Sequence, residues 1–286
     1  MLTGTRRRGP APADLDGQWS RTRLLAALAG LAALAVVLLA GVGLWVWFRL
    51  HPSGQPAIEE GTPATAAQDR GTASATQDAQ QLRRDALAAA AMPRVPAEAA
   101  KPAVLSSRDP GVIVLPATTG TGPAGVASGF AHTPAGALAQ LAAIDKNVLD
   151  TATVDHAREV IAGWAAPGGP TGQSWTAVKA LVSFHSAAGL SGGASAGVAL
   201  RATPMMGLVK ATDGPDWAVV CVDFDVDATI TQTARIAAAD CQRMAWAADR
   251  WVIAAGPEPA PPPSIWPGTD AAIDAGYRNL RQEQPQ

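Results

Sequence analysis

The sequence predicts an α+β domain, in which three helices pack on a curved antiparallel sheet of about four strands, behind a single N-terminal membrane-spanning helix. Three observations predict it. Leu24 to Phe48 is a run of 25 residues without a charged side chain. Apolar residues recur at helical spacing between Pro134 and His185, then alternate as in strands from Ala196 onward. Cys221 and Cys241 stand equally far from Thr231, the middle of a polar turn between two alternating segments.

At ~1.5 Å rise per residue, Leu24–Phe48 is long enough to cross a hydrocarbon core of roughly 30 Å. Only a helix satisfies its own backbone there. Gly30, Gly41 and Gly43 are tolerated in such helices, and Trp45, Trp47 and Phe48 sit where aromatic rings meet the headgroups. Arg6, Arg7, Arg8, Arg21 and Arg23 precede the run, whereas Arg49 is followed by Glu59 and Glu60. The excess of arginine predicts a cytoplasmic tail over 1–23, touching anionic lipid, and an extracytoplasmic chain beyond the 24–48 span, in a single-pass cell-membrane protein. A cleaved signal peptide would have an apolar core of only ~7–15 residues and a small-residue cleavage site. This run is longer and ends in Trp-Val-Trp-Phe-Arg. A twin-arginine export signal fits no better, because the apolar run is too long and begins too far downstream. The face from Gly30 to Gly43 is a candidate helix–helix contact through which the chain would self-associate.

A net charge of −2 over 286 residues argues against direct nucleic-acid binding. The wealth of Ala, Gly, Pro and Arg resembles a high-GC bacterial genome. Residues 49–125 read as a linker, too polar and Pro-rich to offset chain entropy by burial. Within it, Gln77 to Met92 is rich in helix formers and is stopped by Pro93, which predicts a stalk helix. Val112-Ile-Val-Leu-Pro116 is an apolar strand or a segment packed along the domain surface. Gly120, Gly122 and Gly125 match the dinucleotide pattern G-x-G-x-x-G, with Asp145 twenty residues beyond Gly125. Pro123 and Pro134 prevent a continuous helix from opening there, so the glycines predict a turn and no cofactor.

The domain proper is predicted over 126–286. Thr133-Pro134 starts a helix as N-cap and first turn, with Leu138, Leu141, Ile144, Val148 and Leu149 on its apolar face. A second helix starts at Thr153 and buries Val154, Ala157, Val160 and Ile161. A third presents Trp175, Val178, Leu181, Val182 and His185, ending at Gly189, Gly192 and Gly193. Strands follow at Ala196–Lys210, broken near Pro204, at Trp217–Val226, at Ala234–Trp246 and at Trp251–Ala254, with a polar turn near Ile230-Thr-Gln. In a hairpin centred on Thr231 the cysteines face each other, close enough for a Cys221–Cys241 disulfide, and outside the cytosol an even count favours one over two buried thiols. Pro257–Pro263 is an extended strap. Thr269 caps a terminal helix from Asp270 to about Arg281, which buries Ile273, Tyr277 and Leu280.

Catalytic patterns fail on context. Gly193-Ala-Ser195-Ala-Gly197 has the letters of a hydrolase elbow, but it follows a helix, enters a strand and has no histidine downstream. Asp223, Asp225 and Asp227 share one strand face, which suits a hard cation, a basic partner or simply solvent. His132, His156 and His185 lack zinc spacing and read as caps or packing residues. Trp164, Trp175, Trp217, Trp246 and Trp251 read as core. No enzyme activity, cofactor or metal site is expected.

Tail, span, linker, three helices and then a curved antiparallel sheet is an order that resembles the bitopic scaffold proteins of type IV secretion and conjugation systems, whose outer domain is a nuclear-transport-factor-like cone. Gly129-Phe-Ala-His-Thr-Pro-Ala-Gly-Ala137 and Trp266-Pro-Gly-Thr269 with Ala275-Gly-Tyr-Arg-Asn-Leu280 are similar to membrane proteins of conjugative elements in high-GC Gram-positive bacteria. The resemblance implies assembly of a DNA-transfer channel by contact with other membrane or channel proteins, without catalysis. The alternative is an extracytoplasmic ligand-binding or sensor domain that uses the cavity of the cone.

Overall fold

The sheet is built from the alternating segment after residue 199 together with two short strands from outside it, and a computed structural model describes it with the rest of residues 65–188, 199–229 and 233–283, with side chains from residue 75. The span Leu24–Phe48, the basic tail, the pattern around Ser195 and the turn at 230–232 lie outside the described residues. Among the described residues no helix is long and apolar enough to cross a membrane.

The described chain belongs to a unit running from Thr65 to Gln286. Its elements are α1 (Thr65–Ala89), β1 (Val112–Leu115), a small hairpin of β2 (Gly120–Thr121) and β3 (Ala127–Ser128), then α2 (Pro134–Thr151), α3 (Val154–Trp164) and α4 (Thr176–Ala187). The strands β4 (Ala199–Thr212), β5 (Trp217–Thr229), β6 (Thr233–Ala247) and β7 (Arg250–Ile253) follow, and a short α5 (Asp270–Asp274) and β8 (Arg278–Gln282) close the chain. The fold is α+β, as expected. The antiparallel meander β4–β7 matches the four expected strands; one register shift falls between Pro204 and Met206, where a proline cannot donate to the ladder, and a second between Val209 and Ala211. The sheet is larger than expected and mixed, with the order β1-β8-β4-β5-β6-β7 and a parallel β1–β8 pair.

One correction concerns the terminal helix. It stops after Asp274 and the chain returns as β8. Gly276, at φ +93°, takes a left-handed conformation that ends the helix, and the Tyr277 amide bonds back to the Ala272 carbonyl in a Schellman-type stop. Residues 278–282 then gain ladder partners on both sides, β1 and β4, which a lone final helical turn would not have.

The two sheet faces carry different layers. The concave face packs Val220, Val222, Phe224, Val226 and Met244 against Leu138, Leu141, Ile144, Val160, Ile161, Trp164 and Leu181 of the three central helices. Thr133 and Thr153 cap α2 and α3, accepting from the amides of Gly136 and His156. On the convex face lie Cys221, Cys241, Met206, Ile265 and Tyr277. Cys221 and Cys241 are direct cross-strand partners and form the expected disulfide. The strap after Ala254 runs beside β6, where the Ser264 hydroxyl accepts from the Ala239 amide and so occupies an edge that β7 leaves open.

The helix expected to be a stalk contributes to packing on the domain. Ala88 is fully buried beside Trp217, Val219 and Ala254. Asp213 accepts from Gln80 (3.1 Å) and from Arg84 (2.7 Å) and also pairs with Arg83, while Arg243 pairs with Asp85. The last carbonyls of α1 would be orphans, and Lys210 and the Ala260 amide bond to that of Ala88. Burial pushes the Asp213 carboxyl up, but its bonds to Arg84, Gln80 and Arg83 outweigh this and hold it below the usual range. Asp213→Ala removes three partners of α1 at once. Limited trypsin digestion should then cut at Arg83 and Arg84 several-fold faster than in the wild type, while the 134–253 core stays resistant.

Candidate functional site

The row of aspartates on β5 is not one solvated face. Asp225 and Asp227 both pair with Arg235, which also lies over the Trp266 ring at 5.1 Å. Asp223 is fully buried beneath the convex layer, and neither carboxylate oxygen has a hydrogen bond of good geometry. Burial pushes its pKa up to about 8, with the Ile265 amide offsetting part of the effect. Three carboxylates that face an arginine and a sealed layer do not form a cation site. Among the described residues no cluster of three or more His, Cys, Asp or Glu is arranged to hold a metal.

The glycine pattern has a packing explanation. A Cβ on Gly122 would lie 2.6 Å from the Trp164 ring, and one on Gly163 would lie 2.5 Å from Pro123. The Trp164 indole donates to the Pro123 carbonyl at 3.0 Å. The loop therefore clasps a tryptophan and is closed by the β2–β3 hairpin, and only a single 3-10 turn, Pro123–Gly125, lies within it, with no α-helix opening there.

The histidines are dispersed. His132 stacks on Trp246 at 4.1 Å and contacts Asp216 at 2.7 Å. His156 bonds to Asn147 at 2.6 Å. His185, buried at the end of α4, donates to the Ala152 carbonyl at 2.8 Å. Nor do the tryptophans line one cavity. Trp164, Trp175 and Trp251 belong to the concave core, Trp217 lies on the convex side against α1, and Trp246 covers His132.

A cavity of about 250 Å³ opens instead between α2, α4 and the concave sheet. Phe224 and Val226 of β5 and Ala238 of β6 form its floor, and Val148, Leu181 and Phe184 form its walls. Two acids line this apolar space, Asp145 from α2 and Asp240 from β6. Asp145 is 4% exposed and both its oxygens lack a partner. Burial, reinforced by the nearby charge of Asp240, holds its carboxyl well above the usual range. Burial likewise pushes Asp240 up to about 6, against a hydrogen bond from Gln242 at 2.9 Å.

A short polar relay fixes this end of the cavity. Gln242 also reaches Glu258 of the strap at 3.4 Å, and Glu258 accepts from the Thr176 amide (3.0 Å) and hydroxyl (2.8 Å). Trp175, at the N-cap of α4, supplies no side-chain cap. The Glu258 carboxylate does so from a distance in sequence, where an anion also suits the helix dipole.

The sequence reading missed this site, although its signal was present. Asp145 stands in the helical stripe of Leu138, Leu141 and Val148, and Asp240 shares with Ile236, Ala238 and Met244 a strand face that only it and Gln242 interrupt. A charge within an apolar stripe marks either a paired core residue or a site. No protein-family model, curated protein or solved structure matches the chain.

Proposed function

We propose that the chain is a non-enzymatic, single-pass membrane scaffold of a conjugative DNA-transfer (type IV secretion) apparatus, which works through protein–protein contacts of an extracytoplasmic nuclear-transport-factor-like domain. The observation that carries the reading is the edge strand β1. Its outer side has no strand partner among the described residues, and Val112 and Val114, which share one face of the strand, are 48% and 41% exposed. The segment leading to it exposes Val104 and Leu105 as well. An exposed apolar edge strand suits pairing with another chain. The arginine-flanked run at 24–48, the order of three helices before an antiparallel meander, and a disulfide suited to an oxidising compartment support the same reading.

Deleting the gene from a conjugative element is expected to abolish DNA transfer. The tagged protein should copurify from native membranes with channel subunits and the transfer ATPase. Val112→Lys with Val114→Lys should cut that copurification at least several-fold without a change in melting temperature. Unchanged transfer in the deletion strain, with no channel component copurifying, would reject the proposal.

A second reading, an extracytoplasmic ligand-binding or sensor domain, is favoured by the cavity with its two buried acids.

A further inference from the structure

We infer that the cavity between α2, α4 and the β5–β6 floor binds a small apolar molecule with one cationic amine head, held between Asp145 and Asp240. This rests on the ligand-binding reading above. The Asp145 carboxyl group is 4% exposed, lines the cavity and has no hydrogen-bond partner on either oxygen. A buried acceptor without a partner forgoes the hydrogen bonds that water would give it, so a group that supplies donors there is strongly favoured. The backbone does not supply them, because Asp145 lies within α2, where the amides are committed to the helix.

Charge then selects the ligand class. Among the described residues the lining carries two carboxyl groups and no lysine, arginine or histidine. Lys146, the neighbouring cation, is turned away to Asp150 and the Ala202 carbonyl. Glu258 is held by Thr176 and adds negative charge behind Asp240. A primary ammonium offers three donors and one positive charge, which answers the unpartnered oxygens of Asp145 and suits a lining that carries acids and no cation. An ammonium also favours the ionised form of both acids against the burial that makes them hold their protons, which a neutral alcohol cannot do and a carboxylate would oppose.

Size and wall chemistry limit the remainder of the molecule. About 250 Å³ falls just below the roughly 300–1,000 Å³ of sites for drug-sized ligands. Val148, Leu181, Phe184 and Phe224 offer no polar atom to a ligand body, so that body is a short alkyl or a single ring.

The test uses the full chain in lipid nanodiscs, titrated calorimetrically with hexylamine, 1-hexanol and hexanoate, with empty nanodiscs as the blank. Hexylamine is expected to bind saturably, 1-hexanol at least tenfold more weakly, and hexanoate not at all. Asp145→Asn and Asp240→Asn should each weaken hexylamine at least tenfold while leaving 1-hexanol unchanged. These substitutions keep shape and remove a buried titratable group, so melting should show folding retained. Ala180→Phe, which fills the cavity wall, should abolish binding of both probes. Equal affinity for hexylamine and 1-hexanol would overturn the amine assignment and leave the ligand-binding reading standing. If no probe binds saturably, both fall.

Discussion

Asp223→Asn is expected to raise the melting temperature at pH 8 by roughly 10–20 °C and to change it little near pH 4. The carboxyl lies beneath the strap and α5, fully buried, and its folded pKa is pushed up to about 8. In the unfolded chain it titrates near ~3.9. Between these values the folded protein holds a proton that the unfolded chain has released, so stability falls as pH rises through the window and levels off above pH 8. At ~1.4 kcal/mol per unit the window is worth several kcal/mol. Asparagine has the same shape and does not titrate, so the variant keeps what the wild type loses. Asp145 and Asp240 are shifted in the same direction and give both proteins some residual slope, which the wild-type-minus-variant difference removes. Asp213 is shifted the other way, and its contribution disappears only at lower pH. Melting curves of the two proteins from pH 4 to pH 9 decide the point. Parallel curves would mean that Asp223 does not titrate in this window.

Such a group also marks where sequence reasoning runs out. The three central helices and the four-strand meander were legible because periodicity is a local property and Thr133, Thr153 and Pro204 punctuate it. The Cys221–Cys241 register was legible because a hairpin centred on Thr231 fixes it. What alternation could not convey is what covers the second face of a strand. Asp223 and Asp225 have the same parity on β5, yet one is sealed under Ile265 and Tyr277 and the other reaches Arg235. That difference is made by the strap and the terminal segment, more than thirty residues downstream. The α1 helix was misjudged for a similar reason. Its attachment comes from Asp213, Lys210 and Arg243, all distant in sequence, and its weak amphipathicity gave no sign of them. The cavity acids were visible as charges out of pattern, but only the fold brings α2 and β6 to one cavity.

Removing the disulfide has the largest effect expected of any single covalent change. Cys221 and Cys241 are 20 residues apart and close a loop, and that constraint on the unfolded chain is worth about 3 kcal/mol. Cys221→Ala with Cys241→Ala should therefore lower the melting temperature by roughly 6–12 °C in a domain of this size. Both sulfurs are buried with Met206, Ile265 and Tyr277, so alanine also leaves a small void, whereas serine would bury unpaired hydroxyls and cost more. Reductant should reproduce the loss in the wild type and have no effect on the double variant. The strap and α5 cover the bond, so at moderate temperature reduction should proceed no faster than the convex layer opens. The same bond reports on topology. Protein taken from native membranes under alkylating conditions should show no free thiol if its domain faces an oxidising compartment, and two if it faces the cytosol. A fully alkylated pair together with unchanged melting under reductant would remove both the stabilising role and the extracytoplasmic placement. An intact pair whose loss lowers melting as stated would support the orientation that the arginines before Leu24 predict.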